Sequence, residues 1–245
     1  MKHKKNIILI ISLAFFLLFS PFLTLILGSK IRDFFFREFC YTVILRKITK
    51  ESDSDVSVAN KIFKYVCKNV GEPNKNTIPI DSNPFEVLVS GKGSCDQQSN
   101  LIITLGSYLD VKGYLIYLYM PKSNTSTHSI CMLKTIKEML IFDPFYKKKI
   151  DNQIFSKPNI KENDLFKFRK FDLKKNMDFN YNRCKFLNNN NVSFERKLIR
   201  KYSDIWILFF EKSLFKSYLN LFFTIDKTIS NKEKKIKSIL FQIKL

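Results

Sequence analysis

The stretch Gly91-Lys92-Gly93-Ser94-Cys95-Asp96-Gln97-Gln98, continuing as SNLIITLGSYLD to residue 110, decides how this chain is read. Two glycines let the backbone turn tightly. After them Leu101, Ile102, Leu105, Tyr108 and Leu109 share one broad helical face. A helix is therefore predicted from Ser94 or Cys95 to about Asp110, with a thiol in its first turn. Unpaired amide N–H groups and the helix dipole favour negative charge at that end. A thiol so placed ionises more readily than a free one, and the thiolate is the nucleophile. Attack on an acyl carbon creates an oxyanion, to which the Cys95 N–H can donate. The plainer alternative makes Cys95 one more small buried residue, the reading expected for Cys67 and Cys131.

Working outward, residues 114–120 (YLIYLYM) form a short apolar, aromatic run of strand length. Residues 121–127 read as polar loop, and 126–133 and 139–142 as two further strands. Lys134-Thr135-Ile136-Lys137 between them is predicted to be a tight hairpin. If Lys134 pairs with Lys137, partner numbers sum to 271, which sets His128 directly opposite Asp143. Cross-strand partners project from the same face. A carboxylate there accepts the proton of one imidazole nitrogen and leaves the other to face a thiol. His3 is the only other histidine, and it lies in the N-terminal tail. Pro144 ends the strand, because proline cannot continue a central ladder. Upstream, residues 56–70 carry Val58, Ile62, Phe63, Tyr65 and Val66 at helical spacing, and residues 85–89 suit another helical turn.

Three strings then stand in order: GKGSCDQQSNLIITLGSYLDVKGYLIYL, THSICML and EMLIFDPFY. Together they resemble the transglutaminase-like core of the papain-like cysteine enzymes, over about residues 56–150. Gly113, opening the strand after the helix, fits the same pattern. The resemblance implies an α+β fold with the Cys helix packed on an antiparallel sheet. It also implies a Cys95-His128-Asp143 triad and acyl transfer from amides through a thioester. Two departures stand out. Ile141-Phe142 replaces the tryptophan often found before the aspartate, and no second oxyanion donor is identified among Gln97, Gln98 and Asn83.

The rest of the chain adds a setting. Residues 6–29 carry no charge. As a helix at about 1.5 Å per residue they reach roughly 36 Å, enough to cross a bilayer. An uncleaved N-terminal anchor (residues 1–29) is expected, the alternative being a long signal sequence. Lys2, Lys4 and Lys5 favour an inside N-terminus and an extracytoplasmic catalytic domain, against the basic flank of Lys30, Arg32 and Arg37. Residues 30–54 are a basic, aromatic juxtamembrane segment, 55–150 the core, and 151–245 a basic, mainly helical annex carrying Trp206, Phe209 and Phe210 on one stripe.

Charge and composition exclude several classes. Lys and Arg number 42 against 22 Asp and Glu, for a net +20, yet 45% apolar residues allow a sizeable core. Two His and five Cys without CxxC pairs exclude a multi-histidine metal site and argue against a zinc ribbon, and no cofactor is expected. Cys67 with Cys131 is a conceivable disulfide. A protein or peptide substrate is the expected partner, with anionic lipid contact by the basic C-terminal region. No nucleic-acid-binding motif is present. The rival functional reading is a non-catalytic, membrane-tethered binding scaffold of the same fold.

Overall fold

The computed structural model describes residues 11–12, 29–73, 83–120, 124–150, 165–171 and 181–188. Helix α1 (Ser29–Ile48) closes where the backbone and side chain of Thr49 both donate to the Leu45 carbonyl, at 2.8 and 2.7 Å. Helix α2 (Asp55–Asn69) opens on Ser54, whose hydroxyl accepts from the Ser57 N–H at 3.3 Å. One residue earlier, Asp53 accepts from the Lys50 amide and from the Lys61 ammonium. Of the periodic residues of α2, Val58, Ile62, Phe63 and Val66 are buried, with Ala59 beside them, while Tyr65 is only partly buried. Helix α3 (Pro84–Ser90) starts on Asn83, with proline in the first turn where no amide partner is lost. Helix α4 (Cys95–Ser107) follows, and then strands β1 (Lys112–Tyr119), β2 (Ser126–Lys134), β3 (Met139–Asp143), β4 (Lys148–Ile150), β5 (Leu165–Phe171) and β6 (Tyr181–Asn188).

The six strands form one sheet in the order β4-β3-β2-β1-β6-β5, with every recorded pairing antiparallel. The architecture is thus α+β. One face of the sheet receives the helices. Gly106 of α4 lies against Leu133, and Phe63 of α2 stacks on Phe142 with ring centroids 4.6 Å apart. The other face buries Ile116, Leu118, Ile130, Met132, Ile141, Ile150 and Cys184 as one cluster. Where α4 crosses β1, a Cβ on Gly113 would lie 2.7 Å from Ile103 Cγ2, so this position admits only glycine without displacement.

Residues 44–193 form one compact unit, and residues 1–43 with 194–245 the other. In the second unit's described part, Thr42 donates to the Glu38 carbonyl at 3.0 Å within α1. Among the described residues no helix is long and apolar enough to cross a membrane. The expected anchor over residues 6–29 falls, apart from Ile11, Ser12 and Ser29, outside them, as does the stripe at 198–210.

Two expectations are corrected. The basic region beyond residue 150 is not simply a helical annex, because 165–171 and 181–188 are strands that extend the core sheet across β1. In β6 the charged Arg183 and Lys185 alternate with Cys184 and Phe186, a strand period hidden within a basic composition. The β2–β3 register also differs by two residues, with Lys134 opposite Met139 rather than Lys137. Thr135 causes the shift. Its N–H and hydroxyl both donate to the Glu138 carbonyl, at 2.9 and 2.8 Å, and its oxygen accepts the Glu138 N–H at 3.0 Å. The turn therefore closes around residues 135–138, with Ile136 at its exposed tip.

Candidate active site

The loop before Cys95 is built by its glycines. Gly91 caps α3 in the left-handed region at φ 61°, a conformation costly to residues with a Cβ. Gly93 lies so close to α3 that a Cβ there would sit 2.8 Å from Val87 Cγ1. Gly71 straps the loop from the other side: its N–H donates to Gly91 O at 2.9 Å and its carbonyl accepts from Gly93 N–H at 3.0 Å. Buried Gln98 adds a side-chain bond to Gly93 O at 2.7 Å. Gly93→Ala should therefore cost about 1–3 kcal/mol through overpacking. Gly71→Ala, whose Cβ meets nothing within 4 Å, should unfold in urea nearly as the parent does.

Ser94 is the N-cap and Cys95 the first helical residue. The Gln97 side-chain oxygen accepts the Ser94 N–H at 2.9 Å, and Ser94 Oγ donates to Asp96 Oδ1. These bonds turn the polar side chains of the first turn back onto the cap. Cys95 is partly exposed there.

His128 and Asp143 meet despite the shifted register. A two-residue shift preserves the alternation of side chains, whereas a one-residue shift would have parted them. The β2–β3 ladder stops at Cys131 opposite Phe142, and β1–β2 shifts register next to the Leu118–His128 pair. The end of β2 is thereby released from β3, and a bulge beside it re-aims the strand. His128 Nε2 lies 2.8 Å from Asp143 Oδ2, with His128 5% and Asp143 0% exposed. A carboxylate only accepts, so Nε2 carries the proton. Asp143 Oδ1 takes a second donor, the Tyr146 N–H, at 3.1 Å.

Cys95 is the other group that acts on the imidazole, raising its pKa through a side-chain hydrogen bond and its charge. Burial pulls the His128 pKa down, but the hydrogen bonds with Asp143 and Cys95 and the charge of both outweigh it, pushing the ring up to about 9. NMR titration should find His128 protonated through neutral pH, with a midpoint near 9. A midpoint near the ordinary 6.5 would contradict this electrostatic balance.

Burial pushes the other thiols the opposite way from reactivity. The Cys67 pKa rises to about 11 and that of Cys184 to about 12, and those of Cys40 and Cys131 are also raised. All five cysteines are free, so the conceivable Cys67–Cys131 disulfide is not formed. The two thiols instead donate to separate carbonyls, Cys67 to Pro144 O and Cys131 to Phe142 O, each at 3.7 Å. Among the described residues no cluster of His, Cys, Asp or Glu is arranged to hold a metal.

Three aromatic residues near the site escaped the sequence reading. Phe145 and Tyr146 approach the His128 ring edge-on, with centroids 6.0 and 5.3 Å away. Tyr117 lies two strand steps beyond Leu115, on the face that Gly113 turns to α4, and interacts electrostatically with Asp96 and Cys95. The antiparallel course of α4 and β1 accounts for this. From Ile103 back to Cys95 is about 12 Å of helix, and from Gly113 on to Tyr117 about 13 Å of strand. The signal was present in YLIYLYM, but only the packing at Gly113 fixes which tyrosine faces the helix.

No protein-family model matches the chain, and no curated protein or solved structure matches it.

Proposed function

We propose that this chain is a membrane-anchored, transglutaminase-like thiol enzyme that acts on amide bonds of a protein or peptide. The observation that carries the reading is the His128 imidazole, hydrogen-bonded to Asp143 through Nε2 and close enough to Cys95 for the thiol to raise its pKa. The order and spacing of the Cys95, His128 and Asp143 strings support it from the sequence. His128 takes the Cys95 proton, which makes sulfur the nucleophile. Sulfur attacks the amide carbon, the S–C bond forms, and the carbonyl electron pair moves to oxygen. The Cys95 N–H, at the unpaired end of α4, donates to that oxyanion. Collapse breaks the C–N bond as His128 gives its proton to the departing amine. Water or an amine then attacks the thioester, His128 takes the incoming proton, and the thiolate is regenerated. We favour water as the acceptor. In this scheme the hydrophobic residues 6–29 tether the enzyme, with the domain outside and the basic C-terminal region against anionic lipid.

His128 must be protonated to release the amine, so turnover should decline as pH rises through about 9. The test of function uses p-nitrophenyl acetate. The parent should release a burst of p-nitrophenol and carry one acetyl group on Cys95 by peptide mass analysis. Cys95→Ala should show no burst. An equal burst from the alanine variant, or acetylation spread over surface lysines alone, would sink the enzyme reading and favour the inert scaffold.

A further inference from the structure

The turn that follows Asp143 does more than end a strand. Residues 144–147 connect β3 to β4, with Asp143 opposite Lys148 at its base. Lys147 adopts a left-handed φ of 56° and donates its N–H to Pro144 O at 3.3 Å. The Tyr146 N–H is held by Asp143 Oδ1. One carboxylate therefore orients the imidazole with one oxygen and fixes the turn with the other. The turn in turn presents two rings to that same imidazole. Phe145 meets it at 69° and Tyr146 at 64°, and the two rings meet each other at 72° with centroids 5.1 Å apart. Three mutually edge-on rings form a closed corner, a favoured aromatic arrangement. Tyr146 is 40% exposed, while the histidine and aspartate it touches are almost wholly buried.

We propose that Phe145 and Tyr146 are positioning residues that keep water off the His128–Asp143 hydrogen bond and hold the imidazole in its orientation toward Cys95. Neither ring carries out chemistry; both act through His128. A hydrogen bond between charged groups is much stronger when water is excluded than when it is wetted. Without the rings the imidazole gains room to rotate about its side-chain bonds and a competing partner for its Nε2 proton. The proposal rests on the triad reading above, but its signature belongs to the His128 Nε2–H and is read separately from acylation.

The experiment is proton NMR of the intact chain labelled with nitrogen-15, together with the rate of Cys95 acetylation. The parent should show a low-field imidazole N–H resonance protected from exchange with water, absent in His128→Ala. In Phe145→Ala/Tyr146→Ala that resonance should broaden beyond detection, and Cys95 acetylation should slow by about tenfold or more in kcat with KM little changed. Tyr146→Phe, which keeps the ring, should retain both. Tyr146→Ala alone, at a half-exposed position, supplies a variant with a small cost to folding and should show faster N–H exchange. An unchanged resonance in Tyr146→Ala and in the double variant would overturn the proposal whatever the acylation rate. Failure of the parent to acetylate Cys95 would instead sink the enzyme reading and leave the shielding of His128 standing or falling on the resonance.

Discussion

Asp143→Asn is expected to abolish most of the acyl transfer while leaving the fold nearly intact, a loss of about 10³- to 10⁴-fold in the rate of Cys95 acetylation. The reason lies in hydrogen-bond arithmetic. Asp143 accepts from two donors, His128 Nε2 at 2.8 Å and Tyr146 N–H at 3.1 Å. Asparagine offers one acceptor and one donor group in the same space. If its oxygen serves Tyr146, its amide donates to Nε2 and forces the imidazole proton onto Nδ1, the nitrogen that has to accept from Cys95. If its oxygen serves His128, the turn carrying Phe145 and Tyr146 loses its anchor. In the first case the thiol loses its base, and in the second the base loses the turn that frames it. Asp143→Ala removes both bonds and strands a buried imidazole, so its expected cost is about 3–5 kcal/mol of stability. Rapid-quench acetylation and urea unfolding, run on both variants, separate the two effects. An asparagine variant that acetylates at the parent's rate would show that Asp143 merely fills space.

Much of this site was legible in the residues themselves. Gly91, Gly93 and the apolar face beginning at Leu101 placed a thiol at a helix start because turn chemistry and helical period are local properties. His128 and Asp143 were paired from strand arithmetic, and the pairing survived a register shift of two residues because the side-chain period is itself two. The shift was hidden because it depends on the Thr135 hydroxyl closing a turn three residues long in sequence span. Strands β5 and β6 were missed because Lys167, Arg169, Lys170, Arg183 and Lys185 interrupt their short apolar alternation within a basic region. The rings of Phe145 and Tyr146 could not be foreseen at all. Their approach to His128 depends on the left-handed turn at Lys147 and on a bond to Asp143 that no spacing reveals.

The second large effect concerns the sulfur itself. An ordinary thiol of pKa about 8.5 is only about 0.3% ionised at pH 6. His128 holds its proton well above that pH, up to about 9, and Cys95 is one of the groups that keep it there. The imidazolium is therefore available as a counter-ion for sulfur across the whole neutral range, and a neutral alkylating reagent reads the result without any knowledge of the substrate. Peptide mapping assigns the label to one cysteine at a time. Cys67, half-buried and with its pKa pushed up to about 11, serves as the internal comparison.

The most direct measurement is the rate of Cys95 alkylation by iodoacetamide from pH 5 to 10, in the parent and in His128→Ala. The parent should react readily at pH 6, and the alanine variant about 100-fold more slowly there, with the two rates converging at alkaline pH. Equal rates at pH 6, both rising only as an isolated thiol ionises, would contradict the account.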